Sequence, residues 1–300
     1  MYVSVYLLFA LVAAIAVTAP RLGRHLHPRA ATRTLTALAV GAAAATGWAL
    51  GLLATAGLAR IDEITAHTGV PPAADPVPRT VGLLAASALA VLTIRALRAT
   101  AARRRARRAF TGLHDTPAAG DLVVVADHTP YAHALPGYRT HPGRVIVSDS
   151  MLRALDPAEQ RVLLAHERAH LHSYHHRYRA AADLAATVNP LLRATRAAIV
   201  FQTERWADEQ AATEIGDRQT AARSLARAAL AATDTAPAPA PATLGYLHHG
   251  VVARVHALQA PPTRNRWHRA APTLLTAALT AAVLSDATIG WHRVIAQLHP

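Results

Sequence analysis

The chain has 300 residues, room for one large domain or two small ones, and contains no cysteine. That composition excludes disulfides, thiolate catalysis and cysteine-ligated zinc, so any transition-metal site must use histidine and carboxylates. The formal charge of +13 would suit nucleic acid, but the strong bases are all arginine and cluster at the ends of apolar stretches, as in a membrane protein with positive inside loops.

Tyr2 to Ala19 is uncharged and is followed by Pro20 and Arg21. Positive charge follows the apolar run instead of preceding it, so an uncleaved membrane helix over 2–19 is expected, not a signal peptide. A second span is expected over 34–59, rich in alanine and glycine, and a third over 80–97, with Arg95 able to snorkel. A fourth, about 271–291, contains Asp286 and is bracketed by Trp267 and Trp291 as interfacial anchors.

The loops assign sides. Arg21, Arg24, Arg29 and Arg33 fill the first loop without an acid, and Arg103 to Arg108 form a basic cluster after the third span. These segments are expected in the cytoplasm, with the cluster also touching anionic lipid. The 60–79 loop carries Asp62, Glu63 and Asp75 and is expected outside, together with both termini. The resulting organisation is three membrane helices within 1–97, a cytoplasmic domain over 98–269, and a fourth helix with a short external tail over 270–300.

Within the cytoplasmic part, Leu122 to Ala126 and Arg144 to Ser148 read as strands, and Tyr131 to Leu135 as a third short one. Asp156-Pro157-Ala158-Glu159 is a helix start, with an N-cap, proline at N1 and glutamate at N3. The helix it opens carries His166-Glu167-Arg168-Ala169-His170. Residues i and i+4 share a helix face, so His166 and His170 can grip one zinc ion while Glu167 stands beside the water activated there. Asn189-Pro190 starts a further helix, a Pro-Ala linker follows at about 234–242, and a last soluble helix lies near 246–259.

A catalytic zinc takes three protein ligands. His176 would complete a metzincin pattern, but Ser173 stands where that pattern needs glycine, and no downstream methionine supplies its turn. Glu204 is the other candidate. It lies in Glu-x-x-Ala-Asp, where Asp208 is one turn on and can fix the tautomer of a ligand histidine. The expected ligands are therefore His166, His170 and Glu204, with Glu167 as general base and Asp208 behind the ligands. His172, His175 and His176 read as surface or interfacial residues.

With these residues the segment 120–260 resembles the membrane-bound gluzincin peptidases: the heat-shock membrane protease, the prenyl-protein endopeptidase and the BlaR/MecR-type antirepressor peptidases. A zinc domain between a third and a fourth membrane helix is most similar to the antirepressor type; that type carries a large β-lactam-binding domain after its last helix, whereas about ten residues follow the last span here, so a β-lactam-sensing role is not expected. The resemblance implies a mostly α fold, a four-helix transmembrane region with an inserted α+β zinc peptidase domain, and one zinc per chain. It implies hydrolysis of a protein substrate, such as a transcriptional repressor, with membrane-protein quality control and a non-catalytic zinc scaffold as alternatives. It also draws attention to His248 and Arg254, whose six-residue spacing matches a later family helix, although His249 replaces the family proline. An extended substrate is expected to add to the edge strand formed by Tyr131, Ala132, His133, Ala134 and Leu135.

Overall fold

The computed structural model describes residues 2–58, 78–109, 120–137, 141–234 and 241–296. The fold is mostly helical with one small sheet. Helices α1 (Tyr2–Leu22), α2 (Pro28–Leu58) and α3 (Arg79–Ala109) come first. Strands β1 (Leu122–Val125), β2 (Ala132–Leu135) and β3 (Arg144–Ser148) follow. Next come α4 (Asp149–Ala154), α5 (Pro157–His172), α6 (His175–Val188), α7 (Arg193–Ile215), α8 (Arg218–Asp234) and α9 (Pro241–Gln259), and α10 (Ala271–Ala296) closes the order.

Four of these helices, α1, α2, α3 and α10, contain stretches long and apolar enough to cross a membrane. They run beyond the spans expected from sequence. Pro20 lies inside α1 instead of ending it, because a proline in the last turn removes one hydrogen bond while the helix ends two residues later. The second helix begins at Pro28, where proline suits the first helical position, and α3 continues through the arginine cluster to Ala109. The expected outer loop falls almost wholly on residues 59–77, outside the described residues, as do 235–240 of the linker and 297–300 of the tail.

Small residues let the long helices meet closely. At Gly57 and Gly82 a Cβ on either residue would lie 2.4 Å from the other's Cα, so α2 and α3 touch backbone to backbone there. Asp286 on α10 accepts a hydrogen bond of 2.8 Å from Ser4 on α1, and Thr288 accepts one of 3.0 Å from the Trp48 indole.

The sheet has the order β1-β3-β2, with β1 parallel and β2 antiparallel to β3. The expected strand over Tyr131–Leu135 is thus an edge strand, beginning at Ala132. Tyr131 is tied to β3 through Ser148, whose backbone N–H donates to its carbonyl at 3.0 Å. By alternation along an antiparallel pair, the main-chain groups of Ala132 and Ala134 face away from β3.

The start of α5 is the expected capping box. Asp156 accepts from the backbone N–H groups of Ala158 and Glu159, and Glu159 accepts from that of Asp156. Such a cap is worth about 1 kcal/mol. Glu159 also pairs with Arg227 at 2.9 Å, which ties α8 to this end of α5.

Packing joins the sheet-bearing part to the long helices. Ala182 and Ala185 of α6, Leu192, and Ile199 of α7 belong to the same buried apolar cluster as Val5, Leu8, Leu35 and Ala49.

Candidate active site

The site is built on two helices. Helix α5 offers His166 and His170 from one face, and α7 crosses it to offer Glu204. The two Nε2 atoms stand 3.1 Å apart, and each lies 3.6 Å from a Glu204 carboxylate oxygen. Ligands bound at 2.0–2.2 Å and spread tetrahedrally lie about 3.3 Å from one another, so the three donors fit zinc and leave a position open.

Each histidine is held from behind. The Nδ1 of His166 is 3.0 Å from Asp208 Oδ1, one helical turn beyond Glu204. The Nδ1 of His170 is 2.8 Å from Nδ1 of His175. With each Nε2 facing the donor centre, His166 donates its Nδ1–H to a carboxylate and His170 donates to a neutral imidazole.

His175 is therefore not the surface residue expected from sequence; it is 1% exposed. The chain bends after His172 through Tyr174, which adopts a left-handed backbone with φ 53°. This turn redirects the chain from α5 into α6 and brings position 175 behind position 170. His172 is exposed, whereas His176 and the edge strand line the same side of the cleft.

The bend also delivers a residue the sequence did not suggest. Arg179 on α6 forms an ion pair with Glu204. Arg254 on α9 reaches the same carboxylate from the other side at 3.0 Å, and grips Asp208 with two hydrogen bonds of 2.8 and 2.7 Å. The arginine expected only by resemblance thus belongs to the cluster. The side chain of His248 lies outside the description.

Electrostatics separate the roles. With no cation at the centre, burial disfavours a charged His166, but the Asp208 and Glu204 carboxylates outweigh it and push this imidazole up to about 10, so metal binding there would release a proton. Burial and the neighbouring His166 hold His170 well below its ordinary value, and burial with Arg179 takes His175 down to about 4. Burial would raise Glu204, yet the His166 contact and Arg254 overcome it and keep that carboxyl ionised. Glu167 moves the other way: burial raises it, although the Ala134 backbone N–H donates to its carboxyl. A buried carboxyl with a raised pKa, beside a cation site and an edge strand, is suited to proton transfer.

Two clefts flank the centre. One, of about 330 Å³, runs between Tyr131, Met151, Leu163, Leu225 and Arg254 and is mainly apolar. The other, of about 280 Å³, holds His133, Pro136, His176 and Arg179.

Behind the site, Trp206 on α7 packs against the His175 ring, with centroids 4.7 Å apart. The Arg29 and Arg33 guanidinium groups each stand 5.8 Å from the same indole. A residue next to the ligand helix face is thereby wedged against the first turns of α2.

Residues 96–235 match the family model of peptidase family M48. The matched stretch, just under half of the chain, runs from within α3 to the end of α8 and contains both helix motifs; α9 with Arg254 lies beyond it. M48 peptidases are zinc-dependent, and the match supports a metallopeptidase acting on protein or peptide. It does not single out the antirepressor type. No curated protein and no solved structure matches the chain.

Proposed function

We propose that the protein is a multi-pass membrane zinc endopeptidase whose site opens on the cytoplasmic side. The observation that carries this reading is the convergence of His166, His170 and Glu204 within zinc-binding distance, with Glu167 buried beside them. Zinc held there would supply Lewis-acid polarisation of the scissile carbonyl and acidify the attacking water.

The chain's own residues do the rest. The main-chain groups of Ala132 and the Ala134 carbonyl are offered to an extended substrate, which fixes the scissile bond over the donor centre without a demand on sequence. The Glu167 carboxylate accepts the proton of the attacking water and returns it to the leaving amine nitrogen. Arg254 and Arg179 hold Glu204 and Asp208 ionised, and their positive charge favours negative charge developing on the carbonyl oxygen. A cytoplasmic repressor or a damaged membrane protein would each present a suitable segment.

The test is metal analysis and proteolysis of the purified protein with Glu167→Gln and Glu204→Ala. About one zinc per chain is expected in the wild type and in Glu167→Gln, with hydrolysis lost in the latter. Undiminished proteolysis by Glu167→Gln would refute the role of Glu167. Metal retained in Glu204→Ala would refute its place among the ligands.

A further inference from the structure

The connection between α6 and α7 lies alongside the middles of the apolar helices, not at their ends. Asn189 donates to Thr46 Oγ1 at 3.0 Å, and Thr46 is eighteen residues into α2. Leu191 and Ala194 share a crevice with Ala13, Ala16 and Val17 of α1. Val188 and Leu184 line another, of about 660 Å³ and almost wholly apolar, with Leu89 and Leu92 of α3.

We propose that the α6–α7 hairpin is a re-entrant membrane element that holds the catalytic centre at headgroup level and restricts cleavage to bonds close to a membrane span. The proposal rests on the peptidase reading for its substrate consequence, but not for the hairpin.

The helix break meets the demand that lipid makes on non-helical backbone, that its polar groups be satisfied inside the protein. Asn189 N–H donates to Ala185 O at 2.8 Å, Leu192 N–H donates to Asn189 O at 3.0 Å, and the Asn189 side chain accepts from Leu191 N–H at 3.0 Å. Leu191 itself is 61% exposed, an apolar side chain at the tip that the protein covers only in part, as a lipid-facing residue would be. The charges on this hairpin lie closer to its open end or reach toward it. Arg196 pairs with Asp183, which also pairs with Arg103, and Arg193 lines a crevice with Arg95, within snorkelling reach of head groups.

Helical rise gives the depth. Gln202 donates to Gly23 O at 2.9 Å, which sets α7 level with the end of α1. Leu191 is then about 16 Å back along α7, beside Ala13, about 12 Å inside an apolar layer that ends near Arg21. Glu204 lies about 20 Å from Leu191 in the opposite direction, so the donor centre sits about 8 Å outside the hydrocarbon, at the limit of the headgroup layer. An extended chain leaving a span covers that distance in about three residues.

Two measurements test this on the full chain in lipid vesicles. The protein lacks cysteine, so Leu191→Cys and Thr213→Cys give single labelling sites. A bimane fluorophore at 191 should be quenched by nitroxide-labelled acyl chains and one at 213 should not. Equal quenching at the two sites overturns the hairpin. For the substrate, an unstructured casein segment is placed 4, 12 or 30 residues from a single transmembrane helix, or left unanchored. Cleavage should fall at least about tenfold from the nearest position to the farthest, beyond what tethering alone produces, because tethering raises the local concentration of all three anchored forms. Equal rates at 4 and 30 residues overturn the restriction. Loss of cleavage from every substrate, with quenching at 191 intact, sinks the peptidase reading and leaves the hairpin standing.

Discussion

Arg254 grips Asp208 through two near-parallel hydrogen bonds and extends its remaining nitrogen to Glu204. One guanidinium thus orients both carboxylates that α7 presents at the site, and both lie in buried surroundings where an unmatched charge is costly.

Removing that cation should therefore cost more than any surface ion pair. Arg254→Ala leaves two carboxylates without their shared partner, with an expected loss of about 3–5 kcal/mol of stability. Arg254→Lys keeps the charge but not the planar fork, and should recover only part of the loss. Chemical denaturation of the three proteins in the same detergent checks the order. An Arg254→Ala protein as stable as the wild type would contradict it.

His175 should matter to metal binding although it offers no ligand atom to the centre. Its Nδ1 supports His170 from behind, and loss of such a support weakens metal affinity by about 10–100-fold. His175→Ala should show that loss in a competition titration with a zinc chelator, while His172→Ala, altered on the exposed side of the turn, should not.

For Glu167 the sign of the pH effect follows from its raised pKa. A carboxyl raised by burial is better accommodated protonated, so the native state gains relative stability below the ordinary value and loses it as pH rises through the raised one. Metal-free Glu167→Gln should then melt above metal-free wild type at pH 7, with the advantage shrinking toward pH 4. Thermal unfolding in chelator at the two pH values measures it, and no advantage at pH 7 would count against a buried carboxylate there.

Gly57 and Gly82 predict a sharp steric limit. Alanine at either position places a methyl carbon within 2.4 Å of opposing backbone, so the α2–α3 contact must open. Gly57→Ala is expected to lower the melting temperature by several degrees, as a loss of about 1–3 kcal/mol from overpacking does. Gly41→Ala, where the added carbon meets nothing within 4 Å, serves as the control.

Much of this was legible in the sequence because it is written locally. The capping box at Asp156, the four-residue spacing of His166 and His170, and the uncharged runs each depend on a few neighbouring residues. The third strand, at Tyr131–Leu135, could be placed from the turn residues beside it. What escaped depends on how the chain turns between α5 and α6. His175 sits five positions beyond His170, which on a continuing helix points elsewhere, and only the left-handed backbone at Tyr174 folds it back. Tyrosine gives no warning of that conformation, unlike Gly216, which ends α7 with φ 76°. Arg179 was hidden for the same reason. Arg254 was visible only through resemblance, since its partners lie 46 and 50 positions earlier on another helix. The dipping of α6 and α7 among the apolar helices had no local mark either, because Val188-Asn189-Pro190-Leu191-Leu192 reads equally well as a solvent turn.

The shared apolar cluster linking α6 and α7 to the long helices bears on how the protein can be handled. A fragment of 98–269, cut free of the rest, would carry Ala182, Ala185, Leu192 and Ile199 with their partners gone, a greasy scar along the very helix that brings Glu204 to its neighbours. Such a fragment should aggregate or demand detergent; a monodisperse, detergent-free fragment on gel filtration would show that the site-bearing part is separable from the long helices. Severing the long apolar helices does not trim a mere appendage from this molecule. It removes one wall of its workshop.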